Sequence, residues 1–170
     1  VRYLFFVLTL FILTNCSTFK NRNKLNEAKI YKALKTLETR LVNQDLTLNK
    51  EVADSLYRRS LFFDSIHPKS KHKEEVLTLA AKSADGLDRN QENIQIIDSL
   101  LHYFPKSKNA PIYLYNKGKI YEEKMGDTTK AIEVYTIIIN RFPEHELAKN
   151  LIHYLRFLNQ SHQEQLDSLH

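Results

Sequence analysis

Apolar residues recur along this chain at intervals of three and four, and three of the resulting stretches close on a proline. The clearest opens at Ala110. Leu114, Gly118, Tyr121 and Met125 fall at spacings of four, three and four, which puts them on one face of a helix. Met125-Gly126-Asp127 then supplies a turn, because a glycine just past the last periodic residue takes the left-handed conformation that stops a helix. A second stripe follows in Ala131, Tyr135, Ile138 and Phe142, widened by Ile132 and Ile139. Pro143 ends it, since the residue before a proline is biased out of the helical region. Two antiparallel helices are therefore predicted between Ala110 and Pro143.

The closing punctuation repeats upstream. Asp64 to Lys71 reads DSIHPKSK, Leu101 to Lys108 reads LHYFPKSK and Ile139 to Leu147 reads INRFPEHEL, with prolines 68, 105 and 143 lying 37 and then 38 residues apart. A fixed period of this size means one supersecondary unit repeated, each copy burying its apolar face on the next. Val76, Ala80, Ala84 and Leu87 make the first stripe of a second pair, Gly86 and Asp88 stand near its turn, and Ile97, Leu100, Leu101 and Phe104 make its second stripe. Further up, Leu34, Leu37 and Leu41 mark one helix and Ala53, Leu56, Phe63 and Ile66 another, which reads equally as a repeat or as a plain helical hairpin. After Pro143, Ala148, Leu151, Ile152, Leu155 and Leu158 predict a seventh helix that covers the last pair, followed by a polar stretch from Asn159 that frays.

The clear copy resembles the tetratricopeptide repeat (TPR) family. It offers Leu114 or Tyr115, Gly118, Tyr121, Gly126-Asp127, Lys130-Ala131-Ile132, Tyr135 and Pro143 in the family's order, with one extra residue near Met125 before the turn. The resemblance implies an all-α fold of antiparallel helix pairs stacked as a short TPR-like right-handed solenoid of about seven helices. The pairs would span about 25–68, 73–105 and 110–143, with a capping helix at 145–159. Gly118, Tyr121, Gly126, Ala131, Tyr135 and Pro143 would be the structural positions of the repeat. Gly118, in mid-helix, costs about 1 kcal/mol against alanine, and close approach of the partner helix at Ala131 would give it a reason. The family presents the first helix of each pair on a concave face. That makes Tyr115, Asn116, Lys119 and Glu122 the candidate partner-binding residues, with tyrosine as a rigid anchor and lysine as a charge for an extended peptide or a carboxylate.

The N-terminus adds a location. Arg2 precedes a run from Leu4 to Leu13 whose sole polar residue is Thr9. Ten residues at about 1.5 Å each reach about half of a hydrocarbon core of about 30 Å, so the run reads as a signal peptide over residues 1–15 rather than as a span. Leu13-Thr14-Asn15-Cys16 resembles the lipobox at which bacteria lipidate a cysteine, with Asn15 departing from the usual small residue. Cys16 is the single cysteine of the chain, which excludes an intramolecular disulfide and suits acylation. Ser17 after it matches the outer-membrane sorting rule of enteric bacteria. The expected location is the cell envelope, lipid-anchored at the outer membrane and facing the periplasm, with residues 16–24 as the lipidated cysteine and a polar tether. The junction from Pro105 to Pro111 likewise resembles Tol-Pal associated envelope lipoproteins, and outer-membrane assembly TPR lipoproteins are a second likeness.

Charge and chemistry narrow the function. The formal net charge is +5 at pH 7, but an exported chain does not meet nucleic acid, so the excess is not read as DNA binding. Lys20, Arg22 and Lys24 in the tether suit anionic headgroups and equally suit a plain soluble linker. No catalytic constellation emerges. His145 has no second histidine four residues away, His145 and His153 stand two turns apart, and three glycines build no phosphate loop. Neither an enzyme, a cofactor nor a metal site is expected. The expected role is a membrane-anchored scaffold for other envelope proteins or peptides. The alternative is a structural or ligand-binding envelope lipoprotein contacting peptidoglycan or nutrient chains.

Overall fold

The computed structural model describes residues 26–167, with side chains described over 26–157. Cys16, the apolar run and the basic tether lie outside the described residues. Among the described residues the fold is all-α and TPR-like. It comprises α1 (residues 26–38), α2 (Lys50–Ile66), α3 (Lys73–Gly86), α4 (Asn90–Tyr103), α5 (Ala110–Lys119), α6 (Thr128–Arg141) and α7 (Glu146–Asp167), with a π-helical turn, Ile120–Lys124, continuing α5. The one β interaction among them is the isolated antiparallel bridge Val42↔Leu48, in the loop between α1 and α2.

The three proline junctions have one backbone conformation. The residue before each proline caps the preceding helix at φ/ψ of −126°/57° for His67, −126°/53° for Phe104 and −132°/53° for Phe142. Each of these caps donates its N–H to the carbonyl four residues back, on Phe63, Leu100 and Ile138. Two residues past each proline a side chain then accepts an N–H two residues further on. Ser70 Oγ takes His72 N–H at 3.0 Å, Ser107 Oγ takes Asn109 N–H at 3.0 Å and His145 Nδ1 takes Leu147 N–H at 3.2 Å. These bonds satisfy donors that the next helix leaves unpaired at its start. His145 thus serves as a cap.

Two compact units divide the chain after Ser83. In the first, Leu34 of α1, Leu56 and Phe63 of α2 and Val76 and Leu79 of α3 form the core. Each such side chain is worth about 1.5 to 3 kcal/mol when removed from water. Ile66, expected on the α2 stripe, is exposed at the helix end. Lys73, itself buried, pairs with Asp64 at 2.9 Å. The α1–α2 connection spans residues 39–49 and is closed by the Val42↔Leu48 bridge, unlike the short turns downstream.

In the second unit α5 packs on α4, α6 and α7, and α6 on α7. Its core joins Leu114 to Ala131, Val134, Tyr135 and Ile138 of α6 and to Ala148 and Leu151 of α7. The buried stripe of α6 therefore runs through Val134, while Ile132 is exposed. On α7, Ile152 is likewise exposed where the pattern placed it inside, and the helix continues past 159 to Asp167.

The extra residue near Met125 appears as the π-helical turn. Inserting one residue into a helix widens a single turn to i→i+5 bonding, and Met125 N–H donates to Ile120 O at 3.0 Å. The widening carries Met125 out of the apolar stripe, where it is 44% exposed. Gly126 then takes φ +67° as expected, and Asp127 caps α6 by accepting Lys130 N–H at 3.0 Å. In the α3–α4 turn the left-handed residue is Asp88, φ 55°, rather than Gly86.

Candidate functional site

Two rows of side chains face each other in the second unit. Tyr115, Lys119 and Glu122 follow one another at helical spacing along α5 and its π-helical turn. Leu147, Asn150, Leu151 and Tyr154 do the same along α7. Between the rows lies a cleft of about 350 Å³, the lower end of the range for ligand pockets. Tyr135 of α6 also lines it.

Gly118 explains how Tyr135 gets there. A Cβ at position 118 would stand 2.2 Å from Tyr135 Cε1 and 2.7 Å from Cδ1. The ring thus lies on bare backbone of α5, and its edge occupies the space of the missing methyl. This corrects the expectation that Gly118 admits Ala131: the close neighbour is the tyrosine one turn further along α6. Tyr135 is 1% exposed, and its hydroxyl donates to Glu122 Oε2 at 2.8 Å. Tyr154 donates its hydroxyl to the other oxygen, Oε1. Ring centroids are 6.0 Å apart for Tyr115–Tyr135 and 6.2 Å for Tyr135–Tyr154, the latter edge to face, within the range of favourable aromatic pairs.

One carboxylate therefore holds two phenols from two helices. Burial, and then the bond to Glu122, pushes the Tyr135 phenol well above its ordinary value of 10.0. For Tyr154 the bond to Glu122 comes first and burial second, and its phenol is pushed up to about 12. At the mouth Lys119 pairs with Glu123 at 3.3 Å, both about half exposed. Among the described residues no group of three or more His, Cys, Asp or Glu side chains could hold a metal ion, and no helix is long and apolar enough to cross a membrane.

The structure brings Tyr115, Lys119 and Glu122 together at the cleft and leaves Asn116 outside it, exposed on α5. Lys119 is engaged with Glu123 rather than free for a carboxylate. Of the repeat positions, Ala131 and Tyr135 lie in the core and Tyr121 packs against it, while Pro143 is exposed at its junction. The α7 wall was not foreseen. Leu147, Asn150, Leu151 and Tyr154 stand at i, i+3, i+4 and i+7, a one-face signature that reading α7 only as a cap passes over.

Residues 113–145, from α5 through the junction after α6, match the family model of the tetratricopeptide repeat. No curated protein matches the chain.

Proposed function

We propose that this chain is a protein-interaction scaffold, held at the bacterial cell envelope through a lipidated Cys16 and presenting the α5–α7 cleft to a protein partner. The repeat similar to the tetratricopeptide family lends the interaction role, since repeats of that kind mediate protein–protein contacts. The observation that carries the reading is the cleft itself. Glu122, anchored from the core by buried Tyr135, holds Tyr154 at the cleft, a pre-ordered surface that loses little entropy on binding. The envelope location rests on the lipobox-like run before Cys16 and on the basic tether, and Ser17, by likeness to the sorting rule of enteric bacteria, supports outer-membrane attachment facing the periplasm.

Crosslinked membranes from cells making the wild type or a Tyr115→Ala, Tyr154→Ala double variant test the interaction role. Defined envelope proteins captured by the wild type and lost by a variant with unchanged helical circular dichroism support it. Equal capture by both moves the site elsewhere, and capture by neither favours a structural or small-ligand role. Labelling with a fatty-acid analogue tests the anchor: Cys16→Ser removes the label and releases the chain from membranes, and retention of both refutes lipidation.

A further inference from the structure

The cleft is locally acidic on a basic chain. Glu122 and Glu123 line it against a single cation, Lys119, while the whole chain carries +5. Charge complementarity therefore selects a positive group there. The geometry of Glu122 narrows which one. A carboxylate offers about four acceptor directions, two on each oxygen. Tyr135 uses one on Oε2 and Tyr154 one on Oε1, which leaves one on each oxygen, the arrangement that a planar guanidinium fork meets with two parallel N–H bonds. The rings beside it, half-buried Tyr115 and exposed Tyr154, offer faces on which the same plane stacks. An ammonium is a point charge and uses neither the fork nor the stack.

We infer that the cleft receives an arginine side chain of a partner protein, its guanidinium forked on Glu122 and stacked on the tyrosines, with Glu123 released from Lys119 to face it. This rests on the interaction reading above and adds the chemistry of the occupant. It also reverses the expectation of a carboxylate held by Lys119.

Four blocked alanine pentapeptides carrying arginine, citrulline, lysine or glutamate at the centre are titrated onto the full chain, with tyrosine ring resonances followed by NMR. The arginine peptide shifts the rings of Tyr115 and Tyr154 and binds about tenfold tighter than the citrulline peptide, the usual worth of a charge-assisted pair. Glu122→Gln brings arginine down to the level of citrulline. Glu123→Gln, at an exposed position that leaves the fold alone, weakens arginine in a salt-dependent way, and Lys119→Glu tightens it. Equal binding of arginine and citrulline, equal binding of arginine and lysine, preference for the glutamate peptide, or tighter arginine binding with both rings unmoved each overturns the inference. The membrane capture by wild type and the tyrosine double variant reads the scaffold role separately, so the charge assignment can fall while that role stands.

Discussion

Replacing Gly118 by alanine adds one methyl group at the most crowded point of the second unit. In an ordinary helix interior the change would stabilise by about 1 kcal/mol, because alanine loses less backbone entropy. Here the new Cβ meets the Tyr135 ring at 2.2 Å, and ordinary contact, which begins at 3.4 Å, requires the ring to retreat by more than 1 Å. The ring's retreat is restrained on its core side and at its hydroxyl, and the cleft beside it is its outlet. It is 1% exposed, in the core cluster that also holds Leu114, Val134 and Ile138, and its hydroxyl is tied to Glu122. Overpacking of this kind costs about 1 to 3 kcal/mol, and so deep an overlap belongs near about 3 kcal/mol on that scale. The net expectation is a loss of about 2 kcal/mol after subtracting the helix gain. Urea unfolding followed by far-ultraviolet circular dichroism measures it, and a double-mutant cycle with Tyr135→Val isolates the cause. With the ring gone, Gly118→Ala should change sign and stabilise by about 1 kcal/mol. Stabilisation in the wild-type background, or the same effect in both, would refute the reasoning.

Further outcomes follow from the same geometry. Because the folded state raises the Tyr154 phenol to about 12, it holds its proton where the unfolded chain loses it above about 10. This contribution to stability is complete below the unfolded value and is lost as pH rises through the folded one. Ultraviolet titration should show a tyrosine ionising near that higher value, absent in Glu122→Gln. Asn49 caps α2 by accepting Val52 N–H at 3.1 Å, so Asn49→Ala should cost about 1 kcal/mol and Asn49→Ser much less, read as the urea midpoint. Leu46 sits exposed at φ 65°. Leu46→Gly should relieve left-handed strain and stabilise by up to about 1 kcal/mol, where a loss would contradict the backbone conformation.

The stripes Leu114-Gly118-Tyr121 and Ala131-Tyr135-Ile138 were legible because helix packing writes itself at spacings of three and four. The prolines were legible because they force the same cap at His67, Phe104 and Phe142. Even the π-helical turn had left a trace, as one residue too many before Gly126. What stayed hidden depended on side chains meeting across helices. Which neighbour fills the space above Gly118 is decided by the offset between α5 and α6, which spacing does not carry. Val134 displaced Ile132 from the inner face for the same reason. Glu122 was found as a face residue, but its two phenol partners lie 13 and 32 positions away. The wall of α7 had its own periodic signal in Leu147, Leu151 and Tyr154, masked by a competing row through Ile152 and Leu155.

A photo-crosslinking residue placed at exposed Asn150, on the wall of the cleft, reports directly on whether that cleft is a partner's seat. The same group at Asn140, exposed on α6 and away from the lining, is the control. In native membranes the account predicts a defined adduct at 150 that mass mapping places beside an arginine of the partner, absent at 140 and lost on Tyr154→Ala. Equal adducts at both positions, or an adduct at 140 and none at 150, would contradict it.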